Sequence, residues 1–307
     1  MKFLRLFGST SQRDAVLASI DYKILQKTAG VPGVELMQGT YVPEPDYTIP
    51  FYIDVRGTVT LDATAGLQMS TDGETWIDTT ATTLSSGKTY FRVADDQSSP
   101  LKPNWTEDDN SDYDVGGNIN SLVKVNFAND TNCYSFTNMF QDKFKLKSAG
   151  NLILPATTLT DMCYKSMFGN CTSLTTAPEL PATTLAMFCY NFMFDKCASL
   201  TTAPELPATT LVQGCYGSMF YDCTSLTAAP ELPATTLTDM CYMEMFLGCI
   251  NLNYIKCLAT DISASICVYQ WAWNVAATGT FVKAASISTW ETGVSGIPDG
   301  WTVQDAA

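Results

Sequence analysis

Apolar residues recur at i, i+1, i+4, i+5 and i+8 four times in the second half of the chain. In the first instance they are Cys163, Tyr164, Met167, Phe168 and Cys171. Such a stripe predicts a short helix with one buried face. The residues after it alternate: Leu174, Thr176, Pro178 and Leu180 are predicted to face inward from a strand, with Thr175, Ala177 and Glu179 outward. Pro178 has no N–H for a ladder, so that strand is expected to be short or interrupted. The units begin at Leu154, Leu180, Leu206 and Leu232 and read roughly LPATTL-xxx-CY-xx-MF-xx-C-x-SLT-x-AP-E. Self-similarity at this period predicts a solenoid, in which each unit buries its apolar face only against its neighbours. Stacking would align Glu179, Glu205 and Glu231 at about 4.8 Å, where like charges repel and either fan into solvent or hold a cation.

The first half has a different rhythm. Residues 1–46 form a leader with a short helical stretch from Arg13 to Lys27, ended by Gly30, Pro32 and Gly33. Residues 47–103 carry period-two runs, TIPFYIDV, GTVTLDA, LQMSTDGETWIDT and TTLSSGKTYFRVAD, with Asp72-Gly73 and Gly87 as turns. These predict a small Ig-like β-sandwich. Residues 104–127 are acidic and turn-rich and are expected to be a linker. Asp108, Asn110, Asp112 and Asp114 alternate as calcium ligands do, but Tyr113 occupies the glycine position of an EF-hand loop and no closing glutamate follows. The repeats are placed at 128–257, beginning with a degraded unit around Asn138, Met139 and Phe140. A tryptophan-rich C-terminal cap is placed at 258–307. The expected class is therefore multidomain α+β: sandwich, then solenoid, then cap.

Charge and composition narrow the chemistry. The chain has 307 residues, a net charge of −14 and no histidine. The acidity argues against a nucleic-acid partner. Lack of histidine removes the usual general base and the commonest zinc ligand, so neither an enzyme, a metal site nor a cofactor is expected. The apolar stretch after Met1 is broken by Arg5 and ends at Phe7, too short for a secretion signal or a membrane span, which leads to an expectation of folding in the cytoplasm. Of the 11 cysteines, eight fall in pairs at i, i+8. On a helix such a pair lies about 12 Å apart, beyond disulfide reach, so buried free thiols are expected.

Positions that differ among the four units are expected to be the exposed ones. They are residues 160–162, 165–166 and 169–170 and their equivalents further on. Among them Phe188, Phe192, Lys196, Tyr221 and Met243 stand out as candidate binding residues, because several are more apolar than a solvated face needs. Drift on an unconstrained surface is the competing explanation.

The unit CY-xx-MF-xx-C-x-SLT-x-AP-x-LPATTL resembles the BspA-like leucine-rich repeat family, over about residues 130–305 including the CLATDIS, TGTFVKAAS and TWETGVSGIPDGW segments of its C-terminal cap. The STDGETW…TYFR segment is similar to a small β-domain that often precedes such repeats. The resemblance implies an adhesin of gut bacteria or their phages and supplies no catalytic residues. The leader, MKFLRLFGSTSQRDAVLASIDY with TAGVPGVEL, resembles the N-terminal anchors of phage fibres and decoration proteins. The expectation drawn is a phage virion structural protein (head fibre, decoration or tail adhesin) made in the host cytoplasm. Its expected partners are capsid or tail proteins through the leader, a host surface glycan or protein through the repeats, and further copies of itself as a trimer or dimer. The alternative is an adhesin on the bacterial cell surface.

Overall fold

The computed structural model describes residues 45–109, 111–287 and 290–306, together with the backbone of two strands in the leader. The chain divides into two compact units, 1–46 and 47–307. In the first, β1 (Lys23–Lys27) pairs antiparallel with β2 (Val34–Gln38) in the register Lys23 to Gln38. The helical stretch expected over Arg13–Lys27 is corrected there: Lys23–Lys27 is extended, its backbone groups being paired with Val34–Gln38. Residues 13–22 of that expectation lie outside the described residues.

In the second unit, β3 (Tyr52–Arg56), β4 (Val59–Leu61), β5 (Leu67–Ser70), β6 (Ile77–Asp78), β7 (Thr82–Leu84) and β8 (Gly87–Val93) come from the predicted β-region. They are joined by β9 (Trp105–Glu107), β10 (Asp112–Asn118) and β11 (Leu146–Ile153). One sheet has the order β11-β10-β3-β8-β5-β6 and a second the order β7-β4-β9. The acidic segment after Trp105 is thus no linker. In β10, Tyr113 and Val115 are buried while Asp112 and Asp114 face outward, and Asp114 accepts two hydrogen bonds from Arg56 at 2.8 and 3.0 Å. Asp112 is paired with Lys147 at 3.5 Å, and no acidic or cysteine cluster suited to a metal ion occurs among the described residues.

β11 pairs parallel with β10 and leads into the repeats. The class is β-rich, and the α+β expectation is overturned. Among the described residues no α-helix occurs; the helical content is the 3-10 turns Ile119–Leu122 and Phe127–Asn129. Where a helix was expected in each unit, the chain runs as linked tight turns. From Phe188 to Lys196, the N–H groups of residues 188, 190, 192, 194 and 196 donate to the carbonyls of Gln213, Cys215, Gly217, Met219 and Tyr221 at 2.7–3.1 Å. The N–H groups of the intervening residues, Cys189, Asn191, Met193, Asp195 and Cys197, donate to the carbonyl three residues back at 3.1–3.3 Å. The same alternation recurs in the neighbouring units.

The backbone angles explain why no helix can form. Every fourth residue has a positive φ: Phe188 (53°), Phe192 (57°) and Lys196 (57°) in this unit, and Met162, Ser166 and Asn170 in the one before. A positive φ at the third residue of a turn is the mark of type II geometry and stops right-handed helix propagation. The spacing of 163, 167 and 171 is four residues, which this turn repeat matches and a 3.6-residue helix would drift away from. The strand half is corrected too. Leu174, Pro178 and Leu180 are buried but Thr176 is exposed, and regular pairing is reduced to isolated bridges such as Ser148 to Thr176.

Stacking at this spacing lines identical side chains up in columns. One runs Phe136, Tyr164, Tyr190, Tyr216, Tyr242, Trp271 with ring centroids 5.8–6.4 Å apart. A second runs Phe140, Phe168, Phe194, Phe220, Phe246 at 5.2–5.8 Å. Both lie in the offset-stacked range that adds about 0.5–1.5 kcal/mol per pair beyond burial. A thiol column runs beside them: Cys171, Cys197, Cys223 and Cys249 donate to the carbonyls of Phe140, Phe168, Phe194 and Phe220 at 3.0–3.2 Å. All eleven cysteines are free, and all but half-buried Cys133 are buried.

Both ends of the columns are closed. At the front, Phe51 and Trp105 of the β-sheets pack on Phe140 at 5.9 and 6.3 Å. At the back, Trp271 meets Phe281 and Trp290, and its indole N–H donates to Gly296 O at 2.7 Å. A parallel sheet of β12 (Tyr254–Cys257), β13 (Thr280–Lys283) and β14 (Thr302–Asp305) finishes that end.

Because the β-sheets and the stack share one core, residues 47–307 should unfold in a single denaturant transition by both far-UV and tryptophan signals. Two separated transitions would show that the sheets are an independent spacer. Phe194→Ala, in the middle of its column, should lower stability by about 3–5 kcal/mol without splitting that transition.

Candidate functional site

Two faces of the stack are open to ligands: the turn face, carrying the residues that vary between units, and the opposite face, carrying the repeated TTAPELP segment.

On the turn face, Phe188, Phe192, Tyr221 and Met243 are half-buried and Lys196 is exposed. The cross-stack bonds bring some of them together. Lys196 N donates to Tyr221 O at 2.7 Å, and Ser218 N to Met243 O at 2.7 Å, so these positions sit in adjacent units. Phe188 is placed differently. Its ring lies over Gly214 of the next unit, in the space a Cβ there would occupy. The same pairing of a larger residue with a glycine recurs with Asn191 against Gly217, where the buried amide donates to Gly217 O at 2.8 Å, and with Asp222 against Gly248. The expectation that all varied positions are exposed is therefore corrected: Asn191, Gly214, Gly217, Ser218 and Gly248 are buried. Part of the variation between units is packing complementarity along the stack, which neither binding nor drift accounts for.

The turn face turns apolar toward the C-terminal end. Ile266, Tyr269 and Trp273 are 48%, 44% and 49% exposed, and Glu244 N and Gly248 N donate to the carbonyls of Tyr269 and Trp273 at 2.9 Å. Sequence reasoning missed these three because the CY-xx-MF lettering is lost in that unit. Aligning Cys267 with Cys241 puts them in the slots of Met240, Met243 and Leu247, so the signal was present in the spacing. Toward the front of the same face the exposed side chains of Met162 and Met187 are interspersed with polar groups. There the half-buried Asp195 carboxyl is pushed up to about 6, first by burial and then by repulsion from Asp222, against the opposing pull of Lys196.

On the opposite face, residues 175–181 and 201–207 line a cleft of about 540 Å³. Thr175, Thr176, Thr201, Thr202, Glu179 and Glu205 are exposed along it, over a floor of alanine, proline and leucine.

The described residues thus define a β-rich stack of 26-residue turns and bridges, capped at the front by β-sheets and at the back by a tryptophan cluster, with two long faces. In comparisons with protein-family models, curated proteins and solved structures, the chain matches none.

Two outcomes test this description. Gly214→Ala should destabilise by about 1–3 kcal/mol, from its φ of 62° and the overlap with Phe188. The second variant Phe188→Ser should restore part of that loss, and additive losses in the double-mutant cycle would deny the contact. Asp195 holds its proton longer folded than unfolded. Its carboxylate therefore costs no stability below about pH 4 and an increasing amount as pH rises through about 6. Asp195→Asn should accordingly raise the melting temperature at pH 7.5 and leave it unchanged at pH 4.

Proposed function

We propose that the chain is a non-enzymatic virion structural protein that displays its repeat stack to a host surface. The observation that carries the adhesive part is the arrangement of the turn face, where half-buried and exposed apolar residues follow one another over several units: Tyr221, Met243, Leu247, Ile266, Tyr269 and Trp273. A patch of this kind, rimmed by polar groups such as Lys196 and Glu244, fits an interface better than a merely solvated side. Nearly all the cysteines and most of the repeated aromatics are committed to packing, which leaves the surface groups to do the binding.

The virion part rests on the likeness of the leader to phage attachment segments, and the separation of 1–46 as its own compact unit fits an anchor. In this reading the leader docks on capsid or tail protein, residues 47–307 project outward, and copies associate as a trimer or dimer so that weak contacts add through avidity. The experiment is immunogold imaging of purified particles combined with adsorption assays. Label on particles is expected, and replacing Tyr221, Met243, Tyr269 and Trp273 with serine should cut adsorption at least about tenfold, as loss of aromatic anchors does. Label confined to the envelope of uninfected bacteria, or adsorption unchanged by the four substitutions, would overturn the reading.

A further inference from the structure

We infer that the cleft between residues 175–181 and 201–207 is a binding site for a linear neutral glycan. The inference deepens the reading of the chain as a surface-binding protein and rests on it, but places a contact on the face opposite the varied residues.

The cleft lies where the backbone ladder on this face is missing. At the front of the stack the same face is laddered: Thr175 N donates to Lys147 O, and Ala149 N to Thr176 O, both at 2.9 Å. At the back it is laddered again, with Ala229 N to Tyr254 O at 2.9 Å, Leu232 N to Lys256 O and Leu258 N to Leu232 O at 3.0 Å. In both places one partner segment, Lys147–Ile153 or Tyr254–Cys257, has no proline. Between 175–181 and 201–207 both walls carry two, Pro178 with Pro181 and Pro204 with Pro207, and no backbone hydrogen bond joins them. Proline removes the donor a ladder needs, which accounts for the missing bonds at Pro178, Pro181, Pro204 and Pro207, while the turn face stays bonded.

Three features choose the occupant. The walls are tied at their bases, by Ser199 Oγ to Thr172 O at 2.7 Å, and their aromatic columns are spaced at 5.4–5.8 Å. At that spacing the two walls lie close together, so a ligand rests along the rims, over the apolar surface of Ala177, Pro178, Ala203 and Pro204, and does not wedge between them.

The rims supply acceptors for many hydroxyl donors. Glu179 and Glu205 are exposed along the cleft with no ion pair among the described residues, whereas Glu231 in the next unit is held by Lys256 at 2.9 Å. Two carboxylates in a chain of net charge −14 repel uronic or sialic acids and accept from neutral diols. The two walls have the same sequence, TTAPELP, which suits a ligand that itself repeats.

Calorimetric titration of the full chain with hexasaccharides of a neutral β-glucan, a neutral α-mannan and a polyuronate tests this, with a lysine-bearing extended peptide as the competing probe. At least one neutral hexasaccharide should bind saturably and the polyuronate should not. The Glu179→Gln, Glu205→Gln double variant should weaken that binding about tenfold, the scale of a lost charge-assisted hydrogen bond. Glu231→Gln and the turn-face serine substitutions should leave it unchanged. The inference is overturned if no neutral hexasaccharide binds, if the polyuronate binds as well, if the double variant binds normally, or if only the peptide binds. Particle adsorption that depends on the turn face without any oligosaccharide binding would sink this site and leave the adhesive function standing. Oligosaccharide binding without particle labelling would do the reverse.

Discussion

Everything in the repeat region depends on how each backbone N–H chooses its partner. In the turn segments, alternate N–H groups bond within their own unit and the others bond to the next unit. A buried backbone donor without a partner costs on the order of 1–3 kcal/mol, so a segment that buries its side chains must settle every one of these groups. An α-helix would settle those beyond its first turn internally and leave few to hold one unit against another. Sharing them equally locks each unit to its neighbour at every second residue. The cost is the positive φ at every fourth residue, about 1 kcal/mol wherever a residue other than glycine stands there.

That spacing dictates the chemistry of the interior. Once units sit one ladder step apart, an aromatic residue in one unit meets the same residue in the next face to face. Tyr164, Tyr190, Tyr216 and Tyr242 accordingly form a column and not a cluster. The carbonyl of Phe194 accepts from Cys197 N and again from the thiol of Cys223 in the following unit, so a sulfur that looks merely apolar also fills a second lone pair. An open column end would expose its last ring. Phe51 and Trp105 cover one end and Trp290 the other, which makes the β-sheets a structural part of the stack.

Much of this was legible in the sequence and some was not, for identifiable reasons. The 26-residue period, the inward residues Cys163, Tyr164, Met167, Phe168 and Cys171, and the free state of the thiols all follow from spacing and composition. The secondary structure inside the unit does not, because i, i+4, i+8 is compatible with both a 3.6-residue helix and a four-residue turn repeat over so short a run. Asn170, Asp222 and Gly248 in the same slot were the available hint, since asparagine, aspartate and glycine tolerate a positive φ best. The strand at Asp112–Asn118 was hidden because its acidic outward residues read as a linker while only Tyr113 and Val115 signalled burial.

Assigning the two faces exposes a weakness in reasoning from repeat variation. Variation between units is expected from the sequence to mark exposure. Yet Glu179 and Glu205 are constant and exposed, while Asn191 varies from its counterparts and is buried. A unit in a stack packs against two different neighbours, so a substitution in one is answered by a change in the next, as Gly214 answers Phe188 and Gly217 answers Asn191. Constancy in turn does not require packing where an open cleft repeats the same groups along both walls. Variation therefore separates inside from outside only after the neighbour across the ladder is known for each position. By that measure Tyr221, Met243, Tyr269 and Trp273 form the turn-face surface with the strongest claim to a partner, and Phe188 belongs to the stack.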